Sequence, residues 1–586
     1  EAVASLDRLY SAAPTQSTVA AARRSVDHLV GAGVCDSSCL DRTATDAVAT
    51  GALDTSETLG MTVGYGDPVA LLSRFVDRGW TVLTMATPTS RYGHERDTQV
   101  AAACGDAVEF VSGDGLVRNS ESPRAKWQER AESWLTGHQW TPSWEANGTE
   151  RLVIETGVTP ARIDDNFDIT PSKTQVPTGT HRVAMTRLRE FVDRIRSYPG
   201  NISAPQDARD GTSGLSPYLN FGLLSVRQVY QHVTDNAPAC RGREMYVSRL
   251  YWNMHYNQKL ADWPGWTDRA VNPVLAGFNE DNHDAELVEA WMDGKTGFPM
   301  VDAAMRCLRQ TGWLNFRMRA MAASFFTHIL QQPWWIGADW YHHHLIDSDV
   351  GINYTQWQSQ AGLVGKPSQR VYNPRKQVRD HDPDGDWIGR WVPELSDLPV
   401  QFLDRPERTP LAVQEECGVT VGDEYPRPVV DFEARREAFW SRYERLRPEA
   451  AAALGRPEIA ERASFSGGKS AARAIAEQHG GNAADIGGAT QLSLAEVTDR
   501  RQSERAADAA GTPPGDRAPD TGDVTADSTA SNDETMPTGV GQRAGEPSPD
   551  DRNAVGEQME ESDDEQPPCS DAGEPKTGQT TFSRFE

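Results

Sequence analysis

Apolar positions along the chain change their period twice. Between residues 59 and 111 short apolar runs alternate with helical stretches. Leu59–Gly66 ("LGMTVGYG") reads as a strand, Pro68–Arg78 as an amphipathic helix and Trp80–Met85 as a strand, followed by a helix at Arg96–Cys104 and a strand at Ala107–Val111. Strands alternating with helices predict a parallel, Rossmann-like α/β sheet. Residues 1–58 supply no buried first strand, so this domain is expected to be incomplete or unusual. Residues 112–180 carry Pro123, Pro142, Pro160, Pro171 and Pro177 and read as a connector. From about His181 the spacing becomes three and four, over Met185–Ile195, Val226–Val233, Met245–Leu260, Val301–Leu308 and Phe316–Leu330, which predicts an all-α domain.

The pattern fades again at about Ala451. Residues 451–586 contain 26 acidic and 12 basic side chains, and no aromatic occurs between Phe465 and Phe582. Such a stretch buries too little apolar surface to offset its ordering entropy, so a disordered acidic tail is expected. The organisation read from the sequence is an α/β domain over 1–130, a linker over 131–180, a helical domain over 181–450 and a tail over 451–586.

Charge sharpens this picture. The 586 residues carry a formal charge of −27, with 8 lysines against 50 arginines. That balance suits a protein kept soluble in a very salty cytoplasm, and it excludes a uniformly basic nucleic-acid binder. Any DNA-binding face must be local. No run of about 18 apolar residues predicts a membrane span, and no basic-then-apolar leader is read at the start, where the chain begins with Glu1 rather than Met. Seven dispersed cysteines, among them Cys35 and Cys39, read as reduced thiols rather than a disulfide framework or a metal site. A cytoplasmic monomer without metal or membrane contact is expected.

Three segments carry candidate chemistry. Gly211–Ser216 ("GTSGLS") places small hydroxyl residues before a helix, where they either cap it or receive a phosphate. In Gly312–Arg319 ("GWLNFRMR"), Arg317 and Arg319 lie about 200° apart on a helix and need separate acidic or phosphate partners, if only in structural ion pairs. In His344–Trp357 ("HLIDSDVGINYTQW"), Asp349, Asn353 and Trp357 fall at i, i+4 and i+8, one helical stripe suited to a polar heteroaromatic ligand. Lys366, Arg370, Arg375, Lys376 and Arg379 form a local basic patch that reads as a phosphate contact or a solvated loop. Eleven of the 17 tryptophans lie between Trp252 and Trp391; a large core accounts for most of these rings but not for the polar and charged residues set among them.

These segments, with "AWMDGKTGFPMVDAAMRCLRQTGW" and "VYNPRKQVRDHDPDGDWIGRWVPEL", resemble the flavin-binding domain of the DNA photolyase and cryptochrome family. The likeness runs over residues 195–400, and "GDPVALL" and "RYGHERD" carry it weakly into the α/β part. The resemblance implies an antenna domain followed by a helical domain holding FAD. Tyr198, Thr212, Ser213, Gly214, Leu215 and Ser216 would hold its adenine end and phosphates. Arg319, Asp347, Ser348 and Asp349 would lie beside the flavin and ribose, and Asn353 would face flavin N5, as is typical of photolyases. Trp357 would be the flavin-proximal electron donor and Trp334 the next. The usual terminal tryptophan is matched by Asp281, leaving Trp335 or Trp340 as substitutes. An antenna chromophore is implied too, although the usual folate-holding residues are not found near Tyr92–Asp97.

On the substrate side the resemblance implies contacts to damaged DNA from Arg249, Trp252, Asn253, Asn315, Phe316, Arg317 and Arg370. Arg249 stands where a glutamate is usual, Ser359 where a second lesion-stacking tryptophan is usual, and Phe316 where an asparagine is usual. The histidine pair of (6-4) photolyases is replaced by Asn315 and Phe316. Two functions follow as expectations: a photolyase splitting pyrimidine dimers, of the cyclobutane type, by electron transfer from reduced FAD, or a cryptochrome-like photoreceptor. Gln579, Phe582 and Phe585 in the final "QTTFSRFE" are similar to the motif by which repair proteins hold a sliding clamp.

Overall fold

The computed structural model describes residues 66–480, apart from 87–90, 119, 121, 140–157, 159–161, 163–165 and 168–172. All of these belong to one unit. The proposed strand at Leu59–Gly66, the pair Cys35 and Cys39, and the end motif Gln579, Phe582 and Phe585 lie outside them, except for Gly66.

Asp67 caps helix α1 (Pro68–Val76), accepting from the Val69 amide at 3.1 Å, and Pro68 fits the first turn because its missing N–H has no partner there anyway. Strand β1 (Val82–Met85), helix α2 (Arg91–Cys104) and strand β2 (Val108–Val111) then form one β–α–β unit. Val82 pairs with Val108 and Met85 with Val111, in parallel. Among the described residues the expected Rossmann-like sheet consists of these two strands. Its outward positions Leu83 and Met85 are exposed.

The linker drawn over 131–180 begins inside a helix. Helix α3 (Trp127–Leu135) buries Trp127, Ala131 and Leu135 against Met254 of the helical body. The Arg227 guanidinium lies 4.3 Å over Trp134 and donates to its carbonyl, and Gln231 donates to the carbonyls of Leu135 and Gly137. Proline spacing suggested a free connector. The apolar i, i+4, i+8 positions Trp127, Ala131 and Leu135 are the stronger signal. Further back, buried Gln258 brackets Val117, accepting from its N–H at 2.8 Å and donating to its C=O at 2.9 Å.

The helical body is built from α4 (His181–Arg194), α5 (Pro205–Gly211), α6 (Ser216–Asn220), α7 (Val226–Asn236) and α8 (Arg241–Asp262), then α9 (Ala285–Asp293), α10 (Pro299–Thr311), α11 (Phe316–Ser324), α12 (Trp334–His344) and α13 (Val350–Gln360). Helices α14 (Pro374–His381), α15 (Asp386–Trp391), α16 (Leu411–Cys417) and α17 (Phe432–Ala453) complete its main core. Buried Asp302 on α10 takes hydrogen bonds from the Thr296 amide and hydroxyl, the Gly297 amide and the Tyr425 hydroxyl, at 2.6–3.0 Å. A carboxylate removed from water is tolerable only with such a full set of donors. After α11 the chain widens into a π-helical turn, Phe325–Ile329, which carries His328 inward. Its Nδ1 meets the Ser324 hydroxyl at 3.0 Å, its Nε2 meets Gln369 at 3.2 Å, and its ring packs on Phe439 of α17.

The tail does not begin at Ala451. Helix α17 continues through it, and α18 (Pro457–Ala463) and α19 (Gly468–His479) follow. Leu454, Ile459, Ala460, Ala463, Phe465 and Ala472 bury themselves with Leu260, Trp266, Val271 and Val364. Alanine and glycine dilute the composition here, yet small residues at helical spacing let backbones approach closely. Residues 481–586 lie outside the described part.

Two measurements test this packing. Phe465→Ala removes the largest anchor of the last two helices and should cost about 3–5 kcal/mol in denaturant unfolding. Burial pushes His328 down to about 3, and His255 well below its ordinary value. The unfolded chain therefore takes up these protons first, so the stability they carry is complete above about pH 6.5 and falls as pH drops toward 3. His328→Gln should flatten that loss by roughly 1.4 kcal/mol per pH unit, read from urea midpoints at constant salt.

Candidate functional site

The stripe predicted from spacing exists. Asp349 is the cap of α13, accepting from the Ile352 amide at 2.8 Å, and Asn353 and Trp357 follow on the same helix. Burial raises the Asp349 acid above its ordinary value, while Ile352 and Asn257, donating at 3.0 Å, oppose the shift. Asn353 donates through Nδ2 to the Ala338 carbonyl of α12 at 2.9 Å, which leaves Oδ1 as its remaining polar end. Helices α12 and α13 meet at Gly337, where a Cβ would lie 2.3 Å from the Trp357 ring, so only glycine fits there.

The neighbouring loop supplies an ionic junction. Asp347, with a side chain 2% exposed, takes both oxygens to Arg319 at 2.8 and 3.0 Å and accepts from the Ser216 hydroxyl at 2.6 Å. Arg319 also donates to the Leu314 carbonyl. Arg317 points elsewhere, to the Ser203 hydroxyl at 3.0 Å, as the 200° separation requires. Ser348 bonds the imidazole of His342 at 2.7 Å.

In the GTSGLS segment the hydroxyls are already engaged. Thr212 donates to the Ala208 carbonyl, Ser213 accepts from the Leu215 amide and from Tyr246, and Ser216 serves Asp347. Leu215 is buried in the core formed with Tyr198, whose ring meets Phe191 and Tyr246 edge-on. Gly214 has φ +60°, and a Cβ there would lie 2.6 Å from Nη1 of Arg187. Arg187 therefore takes the room that a side chain at 214 would need. A cavity of about 720 Å³ opens beside it, lined by Arg182, Arg187, Arg194, Arg209 and Thr212. Sequence spacing missed these guanidiniums because they reach one cavity from two helices.

Trp357 is buried against Trp291 (6.1 Å), Phe326 (6.0 Å) and Tyr341 (5.0 Å), and Trp334 meets Tyr354 at 6.4 Å, all edge-on. Trp291 and Tyr354 were not foreseen. Tyr354 precedes Trp357 by one helical turn, which was the available signal. Of the suggested substitutes, Trp340 packs on His344 at 4.1 Å and Trp335 lies against the main core. Asp281 sits in a short 3-10 turn, Glu280–Asn282.

The proposed DNA-facing residues divide. Phe316 is 47% exposed and Arg370 is exposed, with its guanidinium over Tyr372. Arg249, Trp252 and Asn253 are half-buried on α8, where Trp252 stacks on Tyr256 at 5.6 Å. Asn315 is buried and spends its amide on the carbonyls of Ile202 and Ser203. The basic patch is largely neutralised: Arg375 pairs with Glu407, Lys376 with Asp380 and Arg379 with Asp404. Lys366 lies over Phe465. Ser359 turns its hydroxyl to the Thr355 carbonyl at 2.8 Å.

Among the described residues, the buried polar atoms without a hydrogen-bond partner include Trp357 Nε1, Asn257 Oδ1 and Asn315 Oδ1. Buried donors and acceptors left unmade are costly, and a polar heteroaromatic ligand completes such a set. The residues present thus fit the flavin and ribose of FAD. Among the described residues no helix is long and apolar enough to cross a membrane, and no cluster of metal-ligating side chains occurs.

Comparison with known proteins places this arrangement. Residues 246–445 match the FAD-binding domain of DNA photolyase. A deoxyribodipyrimidine photo-lyase of Synechococcus is 30% identical over 402 residues, covering 63% of this chain and 78% of that protein. One of Vibrio cholerae is 36% identical over 257 residues, 43% of this chain and 53% of its own length. The Synechocystis cryptochrome structure superposes with a TM-score of 0.55 at 22% identity, over 64% of this chain and 82% of that one, a likeness of fold. The chain belongs to the DNA photolyase and cryptochrome family.

Proposed function

We propose that this chain is a light-driven DNA photolyase that splits pyrimidine dimers, of the cyclobutane type, using reduced FAD. The observation that carries this reading is Asn353. With Nδ2 held by Ala338, its free end is a neutral acceptor, suited to an N–H on the flavin without adding charge. When bound, FAD supplies light absorption and one-electron chemistry. The protein binds, orients and keeps water out. Arg319 and Asp347 fix each other beside Ser216, and this preset pair of charges would hold the flavin edge. Trp357, the last member of that stripe, is buried without a partner for its indole N–H and is the first electron donor. Exposed Phe316 and half-buried Trp252 offer ring faces for an extruded base, and extrusion costs least at a distorted lesion.

A photoreceptor reading has its own support. Arg249 replaces the glutamate expected to hydrogen-bond the thymines, and Ser359, tied to Thr355, offers no second stacking ring. The two readings part on one assay. In high-salt buffer, reduced protein is illuminated with oligonucleotides carrying one cyclobutane or one (6-4) dimer. Restoration of the cyclobutane lesion is expected; no repair, with a flavin that still photoreduces, overturns the photolyase reading in favour of the photoreceptor.

Two variants separate the roles. Trp357→Phe should slow light-driven flavin reduction at least tenfold, while lesion splitting by chemically pre-reduced protein falls far less; equal loss of both would remove Trp357 from the donor role. Arg319→Ala strands the buried Asp347 charge, a cost of about 3–5 kcal/mol. FAD retention, read as the flavin-to-protein absorbance ratio, should drop by two or more orders of magnitude in affinity.

A further inference from the structure

A donor chain is useful only where the positive charge it carries outward can stop. Trp334 is buried, and oxidised indole there remains a cation unless something relieves it. The rings touching Trp357 give no relief. Trp291 is fully buried and spends its indole N–H on the Ala322 carbonyl at 3.2 Å, and the Tyr341 hydroxyl donates to the Arg319 carbonyl at 3.2 Å. An amide oxygen is a poor base and takes no proton from either. Charge on these rings returns.

Tyr354 differs. Its ring meets Trp334 at 6.4 Å, it lies one helical turn from Trp357, and its hydroxyl donates to Asp339 Oδ1 at 2.6 Å. Asp339 is an exposed carboxylate on α12, so a proton placed there exchanges with water. A base within hydrogen-bond distance is the geometric condition for proton transfer.

We infer that Tyr354, with Asp339 as its proton acceptor, is the terminal electron donor of this protein. The inference rests on the photochemical reading above, in which the light-excited flavin is the one-electron oxidant of Trp357. In the step assigned here, one electron passes from the Tyr354 phenol to the oxidised Trp334 indole. The phenolic O–H bond breaks, its proton forms an O–H bond on Asp339 Oδ1, and a neutral phenoxyl radical remains. The indole loses its positive charge and the carboxylate its negative charge, so one electron and one proton are accounted for. No attraction between opposite charges then draws the electron back. Asp281 in the place of the usual third tryptophan is consistent with an outlet of this kind.

The test is flash photolysis with EPR detection on the full chain holding FAD, with and without ring-deuterated tyrosine. The expected result is a neutral tyrosyl spectrum that narrows on deuteration. In Tyr354→Phe that signal is lost and a tryptophanyl signal with several-fold shorter lifetime replaces it. Asp339→Asn keeps the ring but removes the base, and should cut the tyrosyl yield several-fold. FAD content reports that each variant is folded. A purely tryptophanyl spectrum in the unaltered protein, or an undiminished tyrosyl signal in Tyr354→Phe, overturns the inference while leaving the donor role of Trp357 standing. Absence of any photoreduction in the unaltered protein overturns both.

Discussion

The constraint on which this site depends is one carboxylate that cannot be left alone. Asp347 is almost wholly withdrawn from water, and a charge in that position must be paired or neutralised. Arg319 reaches it from α11 and Ser216 from the first turn of α6, so two separate stretches of chain are fixed to the loop that starts α13. Asn257 holds Asp349 two residues on, and so brings in α8. The stripe of Asp349, Asn353 and Trp357 inherits its orientation from this junction. A ligand edge placed against it meets charges already paired, which need little rearrangement to receive it.

The acidic composition gives this local pairing a wider setting. Most basic side chains of the 366–379 stretch are matched by nearby carboxylates, whereas Arg182, Arg187, Arg194 and Arg209 gather around one cavity behind the GTSGLS loop that only Glu190 and Asp210 line with opposite charge. In a chain of net charge −27 such a gathering stands out more than any run in the sequence. Buried and partly buried charges are screened far less by salt than exposed ones. Arg182, Arg187 and Arg209 are exposed and Arg194 is half-buried, so the field around the loop weakens as salt rises.

What the sequence made legible follows the reach of its signals. Helical periodicity located the body from residue 181 onward, and the i, i+4, i+8 spacing put Asp349, Asn353 and Trp357 on one face because a helix enforces that geometry locally. Pairing across distance was invisible. Nothing in the spacing joins Asp339 to Tyr354, Asn257 to Asp349 or Arg187 to Gly214, since each pair meets only when separate elements pack. The tail boundary was drawn too early for another reason. Residues 451–480 look disordered by composition, yet Leu454, Ile459 and Phe465 anchor helices whose other buried positions are alanine. Prolines mark a linker from residue 131, but the stripe of Trp127, Ala131 and Leu135 buries a helix across that boundary.

One seam joins distant parts of the described chain. Arg124, before α3, donates to Asp262 at 3.0 Å and to Ser464 at 2.6 Å, across 138 and 340 residues of sequence. Both charged side chains are under 10% exposed. During synthesis the guanidinium emerges 340 residues before Ser464, so this part of the seam waits for the later partner. The helices between them form from local contacts as they appear, but closing a loop this long is slow and entropically costly. The latch that Ser464 and Phe465 complete over Leu260 and Trp266 therefore cannot close on the chain until both ends of that long loop have been made.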